Sequence, residues 1–368
     1  MTSNQRVLLH LSLIRALSPA YVHVLLDACK NKRVALANLY DYGVSELCDL
    51  GLDAAGAQQI VSGLAQFDVL ELELRAIEHE HVRVICFDDP EYPNYLRELD
   101  EPPLLLYLRG ADIAACERNL AVVGSRNGNA YGRAFVERIV PELAARSWVI
   151  VSGGARGIDA MAHEAALACG AKTVVVLGSG LCCMYPQVNR ALFERIIACG
   201  GSVISPFYMR AQPEPWRFPV RNGVIAGMSR GVVVVQAARK SGALNTAARA
   251  LSYGREVFAV PGQFHDEFAY GCHALIKQGA VLTTSAQDIF DELEPQSRTF
   301  STRVAVSEGQ VLTVRERVIQ ACRDGIGMDD LVRIVQAPQE HIYQELFSLQ
   351  VDGVVVQDFT GLFRVRSF

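Results

Sequence analysis

Lysine is scarce in this sequence: 5 of its 35 basic residues are Lys and 30 are Arg. Where its basic residues face a ligand, that balance favours forked, multi-donor guanidinium contacts over ammonium point charges. The ten cysteines include no CxxC pair and no Cys/His cluster with zinc-finger spacing. In a chain of this size they read as reduced thiols of a cytoplasmic protein. No apolar run approaches the roughly 18 residues of a membrane helix, so no membrane partner is expected. His10 and Arg15 interrupt the first apolar stretch, which removes the order of a signal peptide. There is no GxxxxGK[ST], so no P-loop supports an ATPase. Gly178 and Gly180 lead into Leu181-Cys182-Cys183 without a third glycine, which disfavours a dinucleotide cofactor. His163-Glu164 is followed by Ala-Ala-Leu, not by the second histidine of a zinc protease. No metal, cofactor or catalytic residue is expected. His163, four residues after Asp159, reads as a side chain that holds a helix start in place.

What is present is a long chain with much to bury. Its 368 residues are 50% hydrophobic and 20% charged, enough for two or three domains at roughly 100–200 residues each. The net charge of −5 hides a strong asymmetry. Residues 1–118 hold 10 Lys/Arg against 18 Asp/Glu, residues 119–290 hold 17 against 10, and residues 291–368 hold 8 against 12. A basic middle between acidic flanks is the pattern of an anion-binding core.

Periodicity divides the chain further. Residues 1–80 show helical spacing (Leu8, Leu11, Ile14; Val22, Leu25, Cys29) with glycines at the breaks and no strand signal. They read as a small helical module, SAM-like or helix-hairpin-helix-like. Residues 81–293 open with strands at 82–87 and 104–108 around a Pro-rich passage. Val-rich runs follow at 120–123, 148–151, 173–177, 203–204, 232–235 and 257–260, separated by helical stretches. Runs apolar on both faces fit a parallel sheet covered on both sides, an α/β, doubly wound, Rossmann-like core. Residues 294–312 lack any period and read as a linker. Helices at 313–323, 328–336 and 338–351, then an alternating hairpin turning at Thr360 and Gly361, give residues 313–368 the order of a winged-helix domain.

Glycines and small polar residues follow each core strand. These are Gly124-Ser125-Arg126, then Ser152-Gly153-Gly154-Ala155-Arg156-Gly157, then Gly178-Ser179-Gly180, then Arg239-Lys240-Ser241-Gly242. In a doubly wound sheet such loops gather at one edge. Their N–H groups and the helix N-termini behind them suit an anion, and Arg126, Arg156 and Lys240 add full charge. Several converging loops imply a phosphate pocket. A long irregular stretch is expected over residues 206–227. Phe207, Tyr208, Trp216 and Phe218 alternate there with Arg210, Arg217 and Arg221. That composition suits single-stranded nucleic acid, with arginines on phosphates and rings on bases, or a loop packed down by its aromatics.

The strings GSR…YG, SGGARGIDAMAHEAAL, YPQVNRALFERI, FPVRN and ARKSGALNTAARALSYGREVFAVPG occur in one order between Tyr92 and Asp291. They resemble the DNA-processing protein A (DprA/Smf) family. The resemblance implies an extended Rossmann-like core that forms a homodimer. It also implies a non-enzymatic role in natural transformation: binding and protecting incoming single-stranded DNA and helping to load the RecA recombinase. By motif it assigns the phosphate pocket to Gly124, Ser125, Arg126, Ser152, Gly153, Gly154, Arg156, Arg221, Asn222, Lys240, Ser241 and Gly242. This sequence departs from the family pattern at Pro206 and Gln236, where Glu is usual, and at Gly223, where Arg usually closes RNR. One positive contact is lost, and the two missing acids partly offset it.

The alternative is a nucleoside monophosphate phosphoribohydrolase-like enzyme on a similar core. Such enzymes carry PGGxGTxxE, whereas ARKSGALNTAARAL has no acid after its glycine and Pro261-Gly262 is followed by Gln263-Phe264. A duplex-reading regulator is a further alternative, but residues 338–351 contain no Arg or Lys to meet phosphates.

Overall fold

The computed structural model describes residues 1–14, 17–113, 118–294, 313–323, 325–357 and 362–365. It forms two compact units, Met1–Gln296 and Ser297–Phe368. The expected linker at 295–312 and the expected turn at Thr360 and Gly361 lie outside the described residues.

The first unit opens with helices α1 (Ser3–Ser12), α2 (Pro19–Asn31), α3 (Val44–Asp49), α4 (Ala54–Leu64) and α5 (Phe67–His79). Strand β1 (Arg83–Cys86), α6 (Asn94–Arg97) and β2 (Leu105–Gly110) follow. The alternating part is β3 (Asn119–Val123), α7 (Ala130–Ala145), β4 (Val149–Ser152), α8 (Ile158–Ala168), β5 (Thr173–Val176), α9 (Arg190–Ala198) and β6 (Ser202–Ser205). It continues through α10 (Arg217–Gly227), β7 (Gly231–Val234), α11 (Gly242–Ser252), β8 (Glu256–Ala259), α12 (Tyr270–Lys277), β9 (Val281–Leu282) and α13 (Ala286–Leu293).

All nine strands join one sheet in the order β1-β2-β6-β5-β4-β3-β7-β8-β9. From β6 to β9 the pairing is parallel, and β2 and β1 extend the β6 edge antiparallel. Side chains alternate between faces, as a strand requires. Ala121 and Val123 pack under α10, α11 and α12, while Leu120 and Val122 pack under α7, α8 and α13. This is why the Val runs read as apolar on both faces. The chain crosses from one flank of β3 to the other between β6 and β7, and this reversal opens a crevice at the strand ends.

The N-terminal helices share the unit with the sheet. Val7 and Leu11 of α1 point into a small helical core with Leu25 and Ile60, whereas Leu8 and Leu9 pack on Leu105, Tyr107 and Val203. Glu73 of α5 is buried and accepts the Met209 N–H at 2.7 Å, tying the module to the loop after β6. Burial raises the Glu73 pKa, and the Met209 N–H opposes that rise. At the other end Glu294, which the sequence places in the linker, accepts the Trp148 indole N–H at 3.0 Å and pairs with Arg118 at 3.0 Å.

The second unit has α14 (Val314–Ala321), α15 (Met328–Val335), α16 (Gln339–Val351) and an antiparallel pair, β10 (Val355–Gln357) with β11 (Phe363–Val365). Val318, Leu331, Ile342, Leu346 and Phe363 form its core. Among the described residues no helix is long and apolar enough to cross a membrane.

Candidate functional site

The loops leaving β3, β4, β5 and β7 meet at the C-terminal edge of the parallel strands. The Ser125 N–H donates to the Gln236 carbonyl at 2.8 Å, joining the β3 and β7 loops across the crevice. Below them the buried Gln236 amide donates to Asn129 Oδ1 at 2.9 Å, and its own oxygen accepts the Asn129 N–H at 3.1 Å. Asn129 Oδ1 also caps α7 through the Tyr131 and Gly132 N–H groups. An amide at position 236 supplies the donor this oxygen needs, which a carboxylate would not.

The β4 loop lies against the β3 loop. The Ile158 N–H donates to the Ser125 carbonyl at 3.1 Å. Gly157 has φ +75°, and a Cβ there would collide with the Ser125 and Arg126 backbone. Only glycine permits this approach. Arg126 and Arg156 consequently stand exposed on two touching loops.

Beside them is a cleft of about 320 Å³. Arg126, Gly153, Ala155 and Arg156 form one side, and Tyr185, Pro186, Val188, Phe218 and Arg221 complete it. Arg126 lies 5.7 Å from the Phe218 ring centroid, Arg221 lies 5.8 Å from it, and Tyr185 meets Phe218 edge to face at 5.9 Å.

Arg221 is 5% exposed and forms part of the cleft floor. It donates to the carbonyls of Gly153 and Val176, and its Nε donates to Asn222 Oδ1 at 3.1 Å. Burial lowers its pKa to about 10, opposed by the charge of Asp159, so it stays a cation at neutral pH. Burial likewise raises the Asp159 pKa, opposed by Arg221 and by N–H groups of the β4 loop, including Ala155 at 3.3 Å. An arginine on α10 and a carboxyl on α8 thus support the glycine loop from below.

The sequence-predicted residues separate in space. Arg126, Gly153, Arg156 and Arg221 line the cleft. Gly124 and Ser125 share the Arg126 loop, where Ser125 Oγ accepts the Asn127 N–H at 3.1 Å. Ser152 is buried and donates to the Val122 carbonyl at 2.6 Å, so its hydroxyl braces the sheet. Gly154, at φ +63°, packs against Phe193 and Val175. Asn222 faces away toward α11, 3.4 Å from the Gly242 carbonyl. Lys240 and Gly242 are exposed and Ser241 caps α11, all outside the cleft lining.

Two expectations need correction. The stretch 206–227 is not irregular throughout, because 217–227 is α10. Of the two readings open for that stretch, Arg217 follows the packed one: it is buried among Phe207, Tyr208 and Trp216 and pairs with Glu214 at 3.4 Å. His163 does not hold the start of α8; it lies within the helix and reaches Thr173 Oγ1 at 2.8 Å. Thr173 gives its own proton to the Ile150 carbonyl, so His163 Nδ1 is the donor and Nε2 carries the lone pair. Burial, helped by the Arg221 charge, lowers the His163 pKa to about 3 and keeps it neutral. Sequence reasoning left Ala155, Tyr185, Pro186 and Val188 unassigned, although the YPQVN string holding three of them was visible. Among the described residues no group of His, Cys, Asp or Glu could hold a metal ion.

Comparison with known proteins places this geometry. Residues 83–294 match the family model of DNA recombination-mediator protein A. The chain is 40% identical over 221 residues to the DNA processing protein DprA of Bacillus subtilis, covering 60% of this chain and 74% of that one. It is 43% identical over 206 residues to the DprA of Streptococcus pneumoniae, covering 56% and 72%. The X-ray structure of DNA processing protein A from S. pneumoniae superposes with a TM-score of 0.67 at 33% identity, covering 79% of this chain and 98% of that one. A structure of the Helicobacter pylori protein, described for its single-stranded DNA binding mode, gives a TM-score of 0.52 at 28% identity, covering 59% and 98%.

Proposed function

This chain belongs to the DNA recombination-mediator protein A family, and on that premise we propose that it binds single-stranded DNA, without sequence preference, through the cleft at the strand ends. The observation that carries this reading is the meeting of Arg126, Arg156 and Arg221 with a glycine loop and the rings of Tyr185 and Phe218. Exposed Arg126 and Arg156 neutralise phosphates. Buried Arg221 keeps the floor positive while holding the loop carbonyls away from the anion. The rings offer apolar faces to bases, which a duplex would keep stacked inside. Lys240 and the N-terminus of α11 extend the positive edge beyond the cleft.

The proposed activity is binding, with no catalytic step. Asp159, whose charge acts on Arg221, is buried and supports the glycine loop. Family membership supports the rest of the reading: a cytoplasmic homodimer that protects incoming DNA in natural transformation and helps load RecA recombinase onto it. The second unit has the element order of a winged helix, and its Arg-free, Lys-free α16 favours a protein-contacting or regulatory role.

Fluorescence anisotropy with a labelled 20-nucleotide single strand and its matched duplex tests the central claim. Tighter binding of the single strand, weakening linearly as log salt rises, is expected. Equal affinity for the duplex at the same salt would overturn it.

A further inference from the structure

The segment leading into α10 and the first turn of that helix hold four aromatic residues that composition alone cannot tell apart, and the structure gives them different roles. Phe207 is buried at 8% exposure, Tyr208 is half-buried, and Phe218 is a cleft wall. Trp216, two residues before Phe218 at the start of α10, is 57% exposed.

An exposed tryptophan is usually free to rotate, but this one is held. Its indole N–H donates to Glu214 Oε2 at 2.6 Å. Phe207 packs against the ring edge to face, with centroids 6.0 Å apart and an interplanar angle of 84°. The Arg217 guanidinium lies 4.5 Å from its centroid and bonds the same Glu214 carboxylate at 3.4 Å. Arg217 is itself buried at 5% exposure, so it cannot swing out to meet a phosphate. Glu214, Arg217 and Phe207 together fix the ring and satisfy its one polar atom. The surface left to solvent is an apolar π surface.

Trp148, the other tryptophan, is 1% exposed in the core. An apolar ring that is rigid and wet on one side gives up little side-chain entropy when a flat partner covers it. Trp216 stands two residues from the Phe218 wall, which puts it within reach of a strand that enters the cleft.

From this we infer that Trp216 is a base-stacking platform for single-stranded nucleic acid, outside the cleft and next to it. A phosphate seated between the Arg126 and Arg156 loops leaves a neighbouring base to cover the indole. The inference rests on the single-strand reading above and adds the residue that would hold a base. Every nucleobase has a π face, so the contact is tolerant of sequence.

The chain provides its own reporter. Titrating the full-length protein with oligo(dT) should quench part of its tryptophan emission, and Trp216→Phe should abolish the quenching. Trp148 emission, unchanged in position, verifies that the variant is folded. Trp216→Ala should bind the oligonucleotide about 5- to 150-fold more weakly, with Trp216→Phe in between. An abasic strand keeps the phosphates and lacks the bases, so it should bind wild type and Trp216→Ala equally. If wild type binds the strand and its emission is not quenched, or Trp216→Ala binds as tightly as wild type, the inference is wrong and the cleft reading stands. A Trp216→Ala that binds normally but changes oligomeric state would likewise overturn it, assigning the ring to a contact between copies. If wild type does not bind single strands at all, both readings fall.

Discussion

Replacing Arg221 with Met tests the support beneath the glycine loop. Methionine preserves most of the apolar volume and removes the charge. Two buried carbonyls, Gly153 and Val176, then lose their side-chain donor, and buried Asp159 loses the cation whose field opposes its desolvation. A buried acceptor left without its donor costs about 1–3 kcal/mol, a large share of the roughly 5–15 kcal/mol that holds a domain together. The Asp159 carboxyl adds to that cost through the charge it loses opposite, so neutralising it should recover part of the loss. Asp159→Asn in the Arg221→Met background is expected to cost less than the sum of the single changes by about 1–3 kcal/mol. Urea unfolding followed through buried Trp148 measures all corners of the cycle. Single-strand affinity should fall with Arg221→Met and recover only partly in the double variant, because the loop regains its shape but the floor stays uncharged. Additivity within about 0.5 kcal/mol would refute the coupling and leave Arg221 as a donor to the two carbonyls alone.

The site's charges should rank by position. Arg126→Ala should lose about 1.5–3 kcal/mol of single-strand affinity by anisotropy. Lys240→Ala should lose less, since Lys240 lies off the cleft lining, and Arg138→Ala, exposed along α7, should lose nothing; equal losses for all three would remove the cleft from the reading. A chain cut after Gln296 should stay folded and bind single strands as well as the intact chain, whereas one cut before Glu294 should be less stable because Trp148 and Arg118 lose their carboxylate partner. His163, lowered from 6.5 to about 3 in the folded state, binds a proton only on unfolding in that interval, so stability is full above pH 6.5 and declines as pH falls toward 3. The total is on the order of 5 kcal/mol, and His163→Gln should flatten the slope of unfolding free energy against pH between 6.5 and 4.

Strands were legible where a short run had to be apolar on both faces. Leu120–Val123 and Val232–Val235 could be nothing else once helices separated them. Strand β9 left no such mark, because two residues at a sheet edge carry no period. Helix α10 was hidden for a different reason. RFPVRNGVIAG holds a proline and two glycines, the usual breakers. Yet Pro219 lies in the first turn, where its missing N–H has no partner to lose. Gly227 lets Leu96 and Leu99 approach the helix, and at Gly223 a Cβ would stand 3.1 Å from the Tyr253 hydroxyl. The glycines follow the packing of the helix and do not end it. An arginine at 223, usual in the family, would have to displace that tyrosine.

The same reasoning explains why the site was only half readable. Glycine loops after strands announce an edge, and local sequence gives Arg126 and Arg156 their place on it. The burial of Arg221 depends on partners that no local window contains, whereas those of Arg217 (Phe207, Tyr208, Glu214 and Trp216) are local. Asp159 is distant in sequence, and the ring cage of Arg217 exists only once α10 forms. Composition alone left both readings of that stretch open. The cleft wall from Tyr185 to Val188 was missed because it contributes shape instead of charge, and shape appears only when the β5 loop folds against α10. A strand of DNA needs both, the fixed charges to draw it in and the neutral walls to hold its bases apart. A reading made from charge therefore finds the mouth of such a site before it finds the path beyond it.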